Sequence, residues 1–501
     1  ATRFSVPSRR LPRRRRRRGS SLEACVSPPG KLAPPANNAP RVIARPVRRV
    51  PCTSPQNKAE RASRKPNTAE DSQDDSMPSL TPWRSMGLSA QELRLAHTLP
   101  TGQAFGWRPK HQVVVEAAPE ETTTRTPPST PRVEDAQAVK TNTDPVVVQR
   151  RVAEWRGTLG DAIVAVRESP ETLEAEWRCA VSREVDVETR VADYFRTRRS
   201  PTLMRDLYAR WAAADDECGS GRVARVAQAL PGVRVLRQDP VECLFSFICS
   251  SNNNIARITL MLNKLRALAG TRCGDDDDDL RFESGAEKIL APSYAFPTVE
   301  ALARCEEAQL REIGFGYRAP YVIATARRLA ELGGREYLLE LRNNPDREAV
   351  RTALLEFKGV GPKVADCVAL FSLDKTDVVP VDTHVWRLAR RDYSRALDAR
   401  GDDESEGKRT TLTPTLYAQV GDAFRDVFGD HAGWAHSLLF AAELAAFRDA
   451  LPLDLRKDMD DFRAVEKRLN ARAKQQRAEA SKKKKKKKKE PLLAKKRRRR
   501  N

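Results

Sequence analysis

The stretch KGVGPKVADC, residues 358–367, sets a lysine, Lys363, directly behind a Gly-Val-Gly-Pro turn and at the head of the apolar run VADCVALF. Burying an ammonium costs several kcal/mol unless it is paired or loses its proton, so a charge in that place needs a use. Three uses fit: a solvated surface charge, a phosphate contact, or a nucleophile. Farther along, DVVPVDTHVWRLARRDY is an extended run that ends in Asp382 and leads into a helix. A carboxylate there is expected to cap that helix by accepting from the amides of Thr383–Val385. Capping also orients a carboxylate and keeps it ionised, which suits catalytic work. The lysine and V-P-V-D together are far more specific than either alone.

The elements that must position this pair follow from the same stretch. DREAVRTALLEFKGVGPKVADCVALFSL reads as helix, tight turn, helix, with Val350, Leu354 and Leu355 forming one apolar stripe. Gly359 and Gly361 permit the hairpin, and Pro362 suits the first turn of the second helix. In such a helix-hairpin-helix the backbone comes close to a ligand, and the amides at the second helix's N-terminus can point at a nucleic-acid phosphate.

The chain has 501 residues and a net charge of +22, which suggests a polyanionic partner. Nine arginines in residues 1–20 and a net +13 in residues 481–501 account for all of it, so residues 21–480 are formally neutral. Any nucleic-acid site in the body must therefore be a local patch. Nine cysteines without a CxxC pair fit reduced intracellular thiols, and five histidines without clustered Cys/His spacing make a transition-metal site improbable. No apolar run approaches the roughly 20 residues that span a bilayer.

Residues 1–80, rich in Pro, Ser and Arg, are expected to be disordered. Their acid-free start fits an organelle transit peptide, mitochondrial or plastid, as well as a nuclear signal. Residues 81–230 are expected to form a small antiparallel sheet domain interrupted by a flexible insertion at about 111–150, with helical periodicity after about residue 188. Residues 231–450 read as a helical domain with charged insertions at about 271–286 and 395–412. Residues 451–501 read as a solvated helix leading into a lysine tail. The fold class is α+β, dominated by helices.

These motifs resemble the helix-hairpin-helix glycosylase superfamily and, within it, the eukaryotic 8-oxoguanine DNA glycosylase/AP lyases. The resemblance covers most of 81–110 and 151–450. It is densest in VRVLRQDPVECLFSFICSSNNNIARI (233–258), GFGYRAPYV (314–322), GVGPKVADC (359–367), VPVDTHVWRLARRDY (379–393) and HAGWAHSLLFAAEL (431–444).

The resemblance implies a bifunctional DNA repair enzyme that flips an oxidised guanine out of duplex DNA and removes it. Lys363 is then the nucleophile that attacks the deoxyribose C1′, and Asp382 stabilises the positive charge developing on the sugar. Strand cleavage by β-elimination follows from the Schiff base. A nucleophilic lysine must be neutral, so its pKa is expected to fall from about 10.4 towards 7–8, a shift of roughly 4 kcal/mol. Gly102 would supply the carbonyl that reads the lesion's N7–H, with glycine needed because a side chain would crowd the base. Cys367 and Phe440 would sandwich the flipped base, and Phe247 and Pro380 would complete its pocket. Asn252 would fill the vacated gap, Tyr317 would wedge beside it, and Arg257 and Arg318 would read the orphaned cytosine. His384 and the amides of Gly359, Gly361 and Val364 would hold phosphates. The resemblance implies no metal, cofactor or iron–sulfur cluster, and a monomer acting in the nucleus.

At His436 the family pattern has a glutamine that reads the Watson–Crick edge. An imidazole cannot reproduce a primary amide's paired contacts, so base selectivity is expected to differ, with a pH response at the histidine's pKa. Lys358 replaces a proline, and Ala104 and Gly106 replace a serine and an arginine. Relatives of the endonuclease III or adenine-specific type carry four cysteines after the catalytic aspartate, whereas no cysteine follows Cys367. Alkyl-base glycosylases lack the lysine. A non-catalytic helix-hairpin-helix DNA-binding module would explain the hairpin and the tails, but not Lys363 together with Asp382.

Overall fold

The computed structural model describes residues 80–116, 148–180, 183–199, 202–218, 220–273, 294–398, 412–472 and 474–475. The expectations for residues 1–79, for most of the three insertions and for the lysine tail lie outside the described residues.

Five antiparallel strands form one sheet in the order β1-β5-β4-β3-β2. They are β1 (Arg84–Ser85), β2 (Arg108–Glu116), β3 (Val148–Leu159), β4 (Ala162–Glu168) and β5 (Ala175–Arg178). The period-two alternation expected of a half-buried strand appears at β5, where Ala175 and Trp177 are buried and their neighbours are less so. Both ends of the insertion expected at about 111–150 are paired, because the β2–β3 ladder runs out to Glu116 and Val148. The polar composition that marks this stretch as a loop does not prevent pairing, because ladder bonds are made by the backbone.

The rest of the body is helical. Helix Pro240–Ile248, capped by Asp239, is buried along nearly its whole length and packs beside helix Pro362–Ser372. Across that contact Phe247 and Phe371 stack at 5.5 Å. The hairpin forms as the turn residues dictate, with Pro362 in the first turn of the second helix. Gly359 holds φ at +87°, and a Cβ there would meet the Tyr321 ring at 2.7 Å, so both the backbone conformation and the close approach require glycine. In the first hairpin helix, Arg347–Leu355, Val350 and Leu354 are buried as expected, but Leu355 is 40% exposed. Its position one residue past the stripe rotates it off the buried face.

The polar segment after residue 451 is not merely solvated. Residues 453–472 are helical, with Leu455 and Met459 buried. Glu466 accepts from Arg387 Nε at 2.7 Å and pairs with Arg390, both on helix Thr383–Asp392. Two apolar residues four apart are enough to dock a helix whose other faces are charged.

Candidate active site

One pocket brings together residues from four separate parts of the chain. The turn after Leu99–Thr101, helix Pro240–Ile248, the second hairpin helix with the V-P-V-D run, and helix Ala432–Glu443 enclose about 450 Å³, open solvent included. Its lining contains Lys363 and Asp382, and also Gly102, Phe247, Cys367, Pro380, His436 and Phe440. Thr101, Gln103, Phe371 and Ser437 line it as well, and the motifs did not single these out. Phe371 was detectable in principle, because Lys363, Cys367 and Phe371 recur every four residues on one helix. Gln103 had no such signal. Its side chain donates to the Thr98 and Arg234 carbonyls and accepts from Leu236 N, pinning the Gly102 turn to a distant segment.

Gly102 lies at φ +78°, and a Cβ there would sit 2.8 Å from the Ile255 side chain. The left-handed turn therefore already favours glycine before any base enters, with the tip of the Ile255 side chain pressing on the same space. Lys363 is half-buried, with its Nζ 5.1 Å from the centroid of the Phe247 ring, a contact that favours the ammonium. Burial works to lower its pKa, but Cys367 and Asp382 work against it, and the outcome stands above the ordinary lysine value. The fall towards 7–8 expected from the sequence is therefore absent from this structure. Burial also pushes the Cys367 thiol up to about 11.

Asp382 caps helix Thr383–Asp392, accepting from His384 N at 2.8 Å and Val385 N at 3.0 Å. Its carboxylate thus faces the helix amides while still bordering the pocket. His436 is 5% exposed, and neither ring nitrogen has a hydrogen-bond partner. Burial lowers its pKa to about 4, opposed by the Asp382 carboxylate. The imidazole is therefore neutral throughout the physiological range, and the pH response expected near an ordinary histidine pKa is displaced to acid. The Phe440 ring stacks on it at 5.9 Å and meets the His384 ring edge-on at 6.0 Å.

The residues expected to handle the DNA lie outside the pocket lining. Asn252, at φ +49°, and Arg257 are exposed, and Tyr317 is 47% exposed with its hydroxyl donating to the Ser251 carbonyl at 2.8 Å. Arg318 differs from the expectation of a surface base reader. It is 2% exposed, and its guanidinium is turned inward to the Ser251 and Asn252 carbonyls, where it braces the turn that carries Asn252. Gly361 and Val364 bracket Pro362 and Lys363 at the start of the second hairpin helix, where free amides gather, and His384 stands in the first turn of the next helix.

A glycine-turned helix pair thus carries a lysine on its second helix to the same pocket as a helix-capping carboxylate. Residues 245–412 match the family described as HhH-GPD superfamily base excision DNA repair protein, and residues 140–244 match the 8-oxoguanine DNA glycosylase N-terminal domain. The N-glycosylase/DNA lyase OGG1 of Arabidopsis thaliana is 35% identical over 373 residues, spanning 74% of this chain and 82% of that protein. The N-glycosylase/DNA lyase of Saccharomyces cerevisiae is 40% identical over 228 residues, 42% of this chain and 57% of that protein. The chain belongs to the 8-oxoguanine DNA glycosylase/lyase family. Among solved structures, the apo form of Clostridium acetobutylicum 8-oxoguanine glycosylase/lyase aligns with 70% of this chain and 92% of its own, at 24% identity and a TM-score of 0.47.

Proposed function

We propose that the protein removes 8-oxoguanine paired with cytosine from double-stranded DNA and then cleaves the strand, with Lys363 as nucleophile and Asp382 as the carboxylate that supports it. The observation that carries this reading is the single pocket that holds both, in a chain of this family. The Lys363 amine attacks C1′ of the flipped nucleotide, the bond to the base breaks, and the electron pair leaves with the base. The Asp382 carboxylate stabilises positive charge on the sugar as that bond lengthens. The C1′–O4′ bond then opens, its electron pair passing to O4′, which takes a proton, and leaves a Schiff base whose C2′ proton is acidic; β-elimination then breaks the strand 3′ to the lesion.

Phe440 and Cys367 hold the two faces of the flipped base, Phe247 and Pro380 close the pocket, and the Gly102 carbonyl receives the N7–H that undamaged guanine lacks. Asn252 fills the gap in the stack, Tyr317 wedges beside it, and Arg257 reads the orphaned cytosine, while Arg318 braces the turn that presents Asn252. The amides of Gly359, Gly361 and Val364, with His384, hold the backbone phosphates. The reading includes a monomer and no iron–sulfur cluster, and the lack of any cysteine in residues 368–501 supports the second of these. Eight lysines at 482–489 and the basic run 495–500 support import into the nucleus.

Borohydride trapping on a duplex with 8-oxoguanine opposite cytosine tests this. A covalent adduct is expected there and not on the undamaged duplex, and equal trapping on both would overturn the base assignment. The pH profile is a second check. Since Lys363 stands above the ordinary lysine pKa and His436 at about 4 is already neutral, single-turnover base release is expected to climb between about pH 6 and 9. The rise should approach roughly tenfold per unit at its start, because the neutral amine fraction grows by that factor. An inflection near 6.5 would instead show that His436 titrates in the working complex.

His436 favours a second reading in which base selectivity is altered. A neutral imidazole offers one donor and one acceptor on opposite sides of a ring, whereas a glutamine amide offers a donor and an acceptor side by side. His436→Gln is expected to raise kcat/KM on the lesion duplex by about 2- to 12-fold, the worth of one added hydrogen bond. An unchanged value would mean that position 436 does not face the base.

A further inference from the structure

Behind the pocket, a chain of buried polar contacts ties the lysine's helix to the carboxylate's strand. Asp366 lies three residues beyond Lys363 on the second hairpin helix and is 3% exposed. Its Oδ2 accepts from the Tyr417 hydroxyl at 2.5 Å, and its Oδ1 lies 3.4 Å from Arg351 Nε on the first hairpin helix. The same Tyr417 oxygen accepts from the Val381 backbone N–H at 3.2 Å. Val381 immediately precedes Asp382, in an extended run that pairs with no strand among the described residues. A side chain from helix Pro414–Phe428 therefore does for this run what a neighbouring strand would otherwise do.

We infer that Tyr417 and Asp366 form a positioning pair that sets the Val-Pro-Val-Asp run, and with it Asp382, against the helix that carries Lys363. The inference rests on the reading that Lys363 and Asp382 carry the chemistry.

The charges around the pair determine its polarity. Burial raises the Asp366 acid to about 6, against the pull of Tyr417, Arg351 and Arg425 and with a push from Glu348. At the slightly alkaline pH of a repair assay Asp366 is an anion, so the Tyr417 proton goes to it and the hydroxyl's lone pair faces Val381 N. This leaves one satisfied arrangement, whereas an apolar replacement would strand a buried anion and a buried N–H together. Neither residue lines the pocket. Their effect on the reaction must pass through the placement of others, and misplacement by about 1 Å can cost on the order of a hundredfold in rate.

The test compares Tyr417→Phe, Asp366→Ala and Asp366→Asn for single-turnover base release, lesion-duplex Kd and Tm. Phenylalanine keeps the ring and removes both hydrogen bonds, whereas asparagine keeps an oxygen for the tyrosine hydroxyl. Tyr417→Phe and Asp366→Ala are expected to slow base release by about 10- to 100-fold with Kd within about twofold, and Asp366→Asn to recover most of that rate. Base release at the wild-type rate in Tyr417→Phe, or an equal loss in Asp366→Asn, overturns the inference. Should Tyr417→Phe fail to fold, the contrast between the two Asp366 variants decides alone. Lys363→Gln run alongside separates the two levels: if it still traps on DNA, the assignment of the lysine fails and not the pair.

Discussion

Lys363→Gln is expected to eliminate the borohydride-trapped adduct and to slow base release by at least about a thousandfold, while lesion-duplex Kd stays within a few-fold. Glutamine matches the length of the stem and retains a polar end beside Phe247, but it cannot form an imine. The separation of rate from binding is the informative part. The ammonium lies 5.1 Å from the Phe247 ring and shares its pocket with Asp382, so a lysine that served only as a DNA contact would lose affinity on substitution and leave base release of bound substrate intact. Pre-steady-state excision and a filter-binding titration on the same preparations distinguish these. An adduct that persists in the variant would return Lys363 to the role of a phosphate contact.

Asp382→Asn is expected to lower single-turnover excision by about 100- to 1000-fold with Tm close to wild type, because the lost quantity is a charge opposite the developing positive sugar. The carboxylate has two occupations here, since it also accepts from His384 N and Val385 N at the helix start. Asparagine caps a helix about as well as aspartate, whereas alanine loses about 1 kcal/mol. Asp382→Ala should therefore add a stability loss to the same rate defect. If the asparagine variant excises at the wild-type rate and only the alanine variant suffers, the residue is a cap and nothing more.

Much of this site is legible in local sequence because local physics makes it. Gly359 and Pro362 announce the hairpin through the conformations they alone adopt easily, and Asp382 announces a helix start through the amides that follow it. Lys363, Cys367 and Phe371 share a helix face by period alone. The alternation in β5 and the Val350–Leu354 stripe are of the same kind, although Leu355 shows that a stripe's edge is decided by what packs against it. The docking of residues 453–472 was less readable, since only Leu455 and Met459 mark it within a charged segment.

The sequence by itself determined the turn, the cap, the place of Lys363 at the head of an apolar helix, and the concentration of net charge in the two ends of the chain. Each depends on residues a few positions apart, or on composition. Only the tertiary structure decided the protonation of the site: Lys363 above its ordinary pKa, His436 at about 4, Asp366 at about 6. It also decided that Arg318 turns inward to the Asn252 turn and that Tyr417 meets Val381 across 36 positions of chain. Desolvation and charge–charge interaction are sums over neighbours in space, and those neighbours come from segments whose proximity no local pattern records.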